Sequence, residues 1–352
     1  MGIVAKGSKV RVGAIGIGGI GGWHLKCLTK VPEVEVVAIA DINKEANEQI
    51  LKTYDVPNVF TDYKEMLKMK DLDAVVVGLP NFLHAPVTIA ALEAGKHVLC
   101  EKPLADNVAN GKKIVDAAAK AKKALFMIAY NNRFRGESQL LKKYIDDGAL
   151  GEIYYAKCGW VRRTGIPGWG AWFTNMKLAG GGPMIDIGVH VMDLTMWLMG
   201  FPKAVSTYGS SYTKFGPRGI GMWGQLKEGD ICDTEDLSAG MVKFDNDASL
   251  FVEASWAQNC EEEKIYVEVY GTEGGAKLDS GALTIFTRQY GNHVNLVTQP
   301  PKNEQVVEEW KHFVSCIQNK KKPMCTAEQG LQTLKIIDGI YRSAKTGASI
   351  KL

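Results

Sequence analysis

The chain has 352 residues, 46% hydrophobic and 23% charged, with a net charge of +3; it is globular in composition and too long for one ordinary core, so two domains are expected. The near-balanced charge argues against a nucleic-acid or anionic-membrane surface, and no uncharged apolar run reaches about 18 residues, so no membrane span is expected. The 7 cysteines are scattered, odd in number and free of CxxC spacing, the pattern of reduced, mostly buried thiols in a cytoplasmic protein.

The N-terminus, MGIVAKGSKVRVGAIGIGGIGG, sets basic residues before an apolar run. The run is glycine-rich and no small-residue cleavage pattern follows it, so a secretory signal is not expected. Lys6 stands where a myristoylation signal requires Ser or Thr.

The first 128 residues alternate between short β-rich runs and helical segments. The runs are Val10–Ile15, Val34–Ala40, Ala74–Leu79, His97–Cys100 and Leu125–Ile128. One helical segment starts at Asp62-Tyr63-Lys64-Glu65, with capping-box spacing. A second, Ala85–Glu93, stops at Gly95, and a third covers Asn107–Ala121. Alternating βα units with nearly all-apolar strands predict a doubly wound parallel sheet, the Rossmann arrangement, over residues 1–128.

Gly16-x-Gly18-x-x-Gly21 lies between the first strand and the helix after it. Such a loop needs glycine to turn tightly, to let the backbone approach a pyrophosphate and to pack helix on strand. The pyrophosphate then meets the positive end of the helix. Gly16, Ile17, Gly18, Gly19, Ile20 and Gly21 are therefore expected at a dinucleotide. Asp41 ends the second strand, where a carboxylate accepts both adenosine ribose hydroxyls and repels a 2′-phosphate; this favours NAD over NADP. Lys44 nearby would tolerate a phosphate, and capping of the next helix is the plainer role for Asp41.

At Cys100-Glu101-Lys102-Pro103 an apolar strand runs straight into a charge pair. Ligands of doubly wound sheets bind at the carboxyl ends of strands, which places Glu101 and Lys102 toward the nicotinamide end of the cofactor. A lysine there would stabilise charge on a reacting oxygen or carry its proton. A solvated Glu–Lys pair is the competing reading.

After about residue 150, period-2 runs take over: EIYYAKCGWV, LSAGMVKF, SLFVEASWA, KIYVEVYG and LTIFT. Asp245-Asn246-Asp247 reads as a hairpin turn. Residues 129–352 are thus expected to form an α+β domain with a large, mostly antiparallel sheet open on one face. Two helices close the chain. The last begins at the box Thr326-Ala327-Glu328-Gln329 and ends near Gly347. Within AGGGPMIDIGVHVMDLTMWLMG, Asp186 and His190 are i and i+4 on one predicted helical face. That pairing suits a general base with an orienting carboxylate. A satisfied core histidine and a divalent metal on the same face compete with it, though no further ligand set is evident and no metal is expected. Asp193, one turn on, is expected to hold a backbone or arginine partner.

The glycine loop with its later acid, EKP after the fourth strand, YNNRF at Tyr130–Phe134, GALGEI, and GGGPMIDIGVHVMDLTMWLMG together resemble the Gfo/Idh/MocA oxidoreductases, named for glucose-fructose oxidoreductase, inositol dehydrogenase and a rhizopine-catabolism protein. VYGTEGGAKLD and the closing YRSAKTGASIKL fit the family's second half, so the resemblance spans essentially the whole chain. It implies NAD-dependent transfer of hydride at a ring hydroxyl of a sugar, cyclitol or derivative, with Lys102, Asp186 and His190 lining the active site. It places Leu79, Pro80, Asn81 and His84 of LPNFLH at the cofactor, together with Glu101, Lys102, Asn131 and Trp172. At the substrate it implies Lys102, Arg133, Trp160, Arg163, Asp186 and His190. Asn132 departs from relatives that carry a basic residue there. In the loop GWVRRTGIPGWGAWF, Trp160, Arg162, Arg163, Trp169 and Trp172 suit sugar faces and hydroxyls; core packing is the alternative for the tryptophans. The open sheet face implies a homo-oligomer, a dimer or tetramer. Two rival functions stand beside the dehydrogenase: a redox-neutral enzyme that cleaves glycosides through a transient 3-keto sugar on tightly held NAD, and a non-catalytic NAD-binding regulator.

Overall fold

The computed structural model describes residues 9–168, 172–300 and 302–352; Trp169 lies outside them. The chain divides into two compact units, residues up to 131 with 304–331, and residues 132–303 with 332–352.

In the first unit, β1 (Val10–Ile15), β2 (Val34–Ala40), β3 (Asn58–Phe60), β4 (Ala74–Val77), β5 (His97–Cys100) and β6 (Phe126–Ile128) form one parallel sheet in the order β3-β2-β1-β4-β5-β6. Every residue of β4 is buried, as a strand covered on both faces requires. The chain order reverses between β1 and β4, which makes the carboxyl ends of those strands the switch point. The five expected strands are present, two of them shorter. β3 has only three residues and carries no periodic signal. The helices are α1 (Gly19–Leu28), α2 (Lys44–Leu51), α3 (Tyr63–Leu67), α4 (Asn81–Glu93) and α5 (Val108–Lys120). Asp62 and Asn107 cap α3 and α5 through their side chains.

The first compact unit also takes in a helix near the C-terminus, Gln305–Asn319, which packs on α1. Periodicity reveals that a helix has an apolar stripe, not which sheet layer that stripe covers.

In the second unit, α6 (Gly136–Asp146) precedes β7 (Ile153–Val161), β8 (Ile166–Gly168) and α7 (Met176–Ala179). A π turn (Met184–Gly188) then leads into α8 (Val189–Leu198). Next come β9 (Ala204–Tyr212), β10 (Met222–Gly224), β11 (Leu237–Phe244), β12 (Ser249–Ser255), β13 (Lys264–Gly271), β14 (Gly275–Asp279), β15 (Ala282–Gln289) and β16 (Asn292–Thr298). The Gln305–Asn319 helix is α9, and α10 (Ala327–Thr346) and β17 (Ile350–Lys351) close the chain. Nine strands form one sheet in the order β16-β15-β14-β13-β7-β12-β11-β9-β17, antiparallel except for β7 beside β12. The hairpin turn between β11 and β12 carries Asp247 at φ 64°, and Asn246 Oδ1 accepts from the Ala248 amide. The box at Thr326 forms reciprocally with Gln329.

One sheet face is covered by helix: a Cβ at Gly240 would meet Ile340 of α10 at 2.8 Å. The opposite face is open, and there Met241 and Tyr208 stand directly across from each other, 40% and 53% exposed.

Candidate cofactor and substrate sites

The glycine loop is shaped by close backbone approach. Gly16 has φ 78°, and a Cβ on Gly21 would stand 1.9 Å from the Gly16 carbonyl oxygen. Apart from its chain neighbours, no atom of the described residues would meet a Cβ at Gly18 within 4 Å, so packing does not demand glycine there, whereas close approach of a pyrophosphate would. α1 begins at Gly19 with no acidic residue in its first turn, which leaves its positive end available to a pyrophosphate. Asp41 ties this loop to β2. Its Oδ2 accepts from the Ile17 amide at 2.9 Å and its Oδ1 from the Asn43 amide at 2.8 Å. A carboxylate has about four acceptor sites, so both oxygens keep capacity for ribose hydroxyls. Asn43, not Asp41, caps α2. The arrangement fits an adenine dinucleotide, with Gly16–Gly21 around the pyrophosphate and Asp41 at the ribose.

Lys102 follows β5 at the same strand ends and is half-buried. Behind it lies a buried chain of hydrogen bonds that the sequence reading missed. The Trp310 indole N–H of α9 donates to His24 Nδ1 at 2.9 Å, and His24 Nε2 lies 2.8 Å from Glu101 Oε1. Because an indole only donates, Nδ1 accepts and Nε2 bears the hydrogen given to Glu101. Glu101 Oε2 in turn accepts the Lys102 amide at 3.0 Å. Glu101 is only 4% exposed. Its carboxylate therefore brackets the Lys102 backbone. The signal was a lone histidine between Trp23 and Leu25 in the helix after the glycine loop, with a tryptophan on the apolar stripe of α9. Each needs a buried polar partner.

His84, expected at the cofactor, is buried beside the same turn. It is 1% exposed, and its two ring nitrogens lie 2.7 Å from the Pro103 carbonyl oxygen and 2.8 Å from that of Leu79. It joins the turn after β4 to the turn after β5 from beneath, while Leu79 and Pro80 are half-buried at the strand end. Asn81 is buried at the start of α4, and Asn131 Oδ1 accepts from Gln305 at 3.3 Å.

In the second unit the segment bearing Asp186 is a π turn, not the plain α-helix expected, and α8 starts only at Val189. Wide turns of this kind cluster at functional sites, where they re-aim side chains. Glu235 anchors the turn. It is buried, and its carboxylate accepts from the amides of Gly182 at 2.7 Å and Met184 at 3.2 Å and from the Tyr341 hydroxyl at 2.7 Å. Burial nevertheless pushes its carboxyl up to about 7 against those donors. Asp186 Oδ2 accepts the indole N–H of buried Trp256 at 3.0 Å. The Trp160 ring lies 5.8 Å from the His190 ring.

Of the two adjacent arginines, Arg162 is turned toward this group. Its guanidinium lies 5.1 Å from the Trp160 ring and 4.8 Å from that of Trp223. Burial lowers its pKa, opposed by the charges of Asp186 and Glu263. Arg163, the residue expected at the substrate, is exposed. Trp160 and Arg162 are two apart and share a face of the extended chain; Arg163 points the other way. Arg133 is the other arginine expected at the substrate. It is fully buried, with Nε and Nη2 on the two Asp193 carboxylate oxygens at 2.8 and 2.6 Å. Asp193 thus has the arginine partner anticipated for it, and Arg133 is committed to the core. Trp172 stacks on Phe173 with ring centroids 3.8 Å apart.

Comparison with known proteins bears on this geometry. Residues 10–130 match the model described as the oxidoreductase family, NAD-binding Rossmann fold, and residues 142–352 match that family's C-terminal alpha/beta domain. The chain is 33% identical over 349 residues to the D-glucoside 3-dehydrogenase of Escherichia coli K12, covering 98% of each. It is 28% identical over 352 residues to the scyllo-inositol 2-dehydrogenase (NAD(+)) of Bacillus subtilis, covering 98% of this chain and 96% of the relative. Among solved structures, levoglucosan dehydrogenase in complex with NADH superposes with a TM-score of 0.86 at 25% identity, covering 98% of this chain and 99% of that one. The chain belongs to the Gfo/Idh/MocA family of NAD-binding oxidoreductases.

Proposed function

We propose that the protein is an NAD-dependent dehydrogenase of a ring hydroxyl on a sugar, cyclitol or glycoside, with C3 of a D-glucoside the first position to test. The observation that carries the reading is the group of polar side chains on the π turn and its neighbours. Asp186 is held by Trp256, and His190 and Arg162 lie beside the Trp160 ring. Flat aromatic faces with a few fixed polar groups suit the C–H and O–H surfaces of a pyranose. The 33% identity to a D-glucoside 3-dehydrogenase over nearly the whole chain supports the same substrate class.

NAD, when bound, would supply the hydride acceptor for the ring carbon. Gly16–Gly21 and Asp41 hold the cofactor. His190 accepts the hydroxyl proton, and Asp186 orients it. The Lys102 ammonium donates to the substrate oxygen as that oxygen becomes a carbonyl, so its contribution is greatest where charge develops. Asp41 favours NAD over NADP.

A panel of D-glucosides, free sugars, uronic acids and inositols, scored by NADH formation, tests the reading. Steady NADH production from one class is the expected result. Aglycone release from a glycoside without net NADH would favour the redox-neutral alternative, and NAD binding without turnover of any kind would favour a regulator. The proposal also includes homo-oligomerisation through the open sheet face, supported by exposed Tyr208 and Met241. A light-scattering mass near one chain at micromolar concentration would count against it. The seven unpaired cysteines support a cytoplasmic setting.

A further inference from the structure

The first unit has a large groove of about 790 Å³ at the amino ends of its strands, the edge opposite the glycine loop. Asp73 precedes β4 there, His97 begins β5 and Leu125 precedes β6. Two lysine clusters distant in sequence converge on it. Lys122 and Lys123 follow α5, Lys320, Lys321 and Lys322 follow α9, and Lys70 completes the rim. Among the described residues none of these six ammonium groups has a carboxylate within ion-pairing distance. The carboxylates lining the groove are Asp73 and Glu328, and Asp73 already accepts the Arg11 amide at 2.9 Å. The floor is apolar, with Leu72, Leu125, Phe126 and Ile317. Ala327 and Glu328, in the first turn of the 20-residue helix α10, add a positive helix end.

Six ammonium groups without an ion-pair partner among the described residues repel one another around this groove, and a bound anion relieves that cost, while Leu125, the half-buried member of the apolar lining, offers contact to its body. The volume lies within the range of about 300–1,000 Å³ usual for small-molecule sites. The spread of charge suits more than one phosphate, which lysine binds as a point charge. We infer that this groove is a second ligand site, for a nucleotide or similar phosphoester with an apolar or aromatic body. It is separate from the cofactor site, and its occupant would not compete with NAD.

The test is calorimetric titration of ADP into the full chain held at saturating NAD, so that the dinucleotide site is closed to ADP. The expected result is one ADP per chain, bound at least tenfold more tightly than pyrophosphate and more weakly as salt is raised. The Lys122→Ala/Lys321→Ala/Lys322→Ala variant should bind ADP at least tenfold more weakly while its NAD affinity is kept. Should that variant fold poorly, lysine-reactive ester labelling of the wild-type chain decides the matter: ADP should protect the six lysines and leave Lys52 and Lys351 labelled. Absence of ADP heat at saturating NAD, equal binding by the variant, or pyrophosphate binding as tightly as ADP would overturn the inference. So would retention on anionic vesicles or duplex DNA without ADP binding.

Discussion

Glu101 in the first unit and Glu235 in the second are both buried carboxylates that accept backbone amides beside a proposed reactive side chain, yet they are held in opposite electrostatic states. Burial alone would raise Glu101, but the His24 hydrogen bond and the nearby Lys102 charge outweigh it, and the carboxyl is held below its usual value. At Glu235 burial wins, and the Tyr341 hydroxyl and two amides leave the carboxyl near 7. Number of donors is therefore a poor guide to which buried acid stays ionised; the charges nearby decide it. The first device should be indifferent to pH in the neutral range, and the second should be sensitive to it.

The largest effect tests what the Glu101 bracket supports. Lys102→Ala should cost about two to three decades in kcat, the usual loss of one transition-state donor, with NAD affinity nearly unchanged because Gly16–Gly21 and Asp41 lie elsewhere. Turnover within about threefold of wild type would remove Lys102 from the mechanism. Glu101→Gln should come next. An amide cannot accept from both His24 and Lys102 without presenting its own N–H to a donor, so a cost of about 1–3 kcal/mol, roughly 5- to 150-fold in kcat, is expected. Trp310→Phe frees the other His24 nitrogen and should cost less, about tenfold or under, with the KM for NAD held; a change confined to that KM would place the chain of bonds at the cofactor instead.

A pH effect separates the two carboxylates. A carboxyl raised in the folded state contributes stability that is complete below its unfolded value near 4.5 and is lost as pH rises through about 7. Glu235→Gln should therefore flatten the fall in Tm between pH 5 and 8.5, and the wild-type to variant difference should shrink or reverse toward the alkaline end. Glu101→Gln should behave the other way, with a deficit that shrinks as pH falls below the ordinary carboxylate range. Thermal melts from about pH 3 to 8.5 check both signs. The smallest effect belongs to Glu309, which is fully buried and has neither carboxylate oxygen hydrogen-bonded among the described residues. Burial and the charge of Glu101 raise it well above its usual value. Glu309→Gln should be close to neutral at pH 5 and relatively stabilising at pH 9. A loss of several degrees at both pH values would mean that its acidic proton has a partner.

Much of the first unit was legible because its strands are apolar runs punctuated by glycine and its caps are local side-chain chemistry, as at Asp62 and Asn107. Asp186 and His190 were legible as polar residues in an apolar run. What the sequence hid is long-range. Trp310 and His24 are 286 residues apart, and no periodicity connects them. Glu235 reads as one acid in a loop until the fold sets it against Gly182. The choice of Arg162 over Arg163 depends on which way a strand leaves its last ladder bond, and the π turn depends on tertiary packing around a Gly-Gly-Gly-Pro run. The pairing of Arg133 with Asp193, 60 residues on, is likewise carried by no local pattern.

The most direct measurement is isotopic. The best substrate of the panel, deuterated at one ring carbon at a time, is turned over with NAD, and the NADH is examined by mass spectrometry. Deuterium is expected in NADH from a single ring position, in equal amount to the ketone formed, and its rate of appearance should fall by about two to three decades in Lys102→Ala, and comparably in His190→Ala, at matched NAD occupancy. NADH without label from any ring carbon, or full labelling by the Lys102→Ala protein at the wild-type rate, would contradict it.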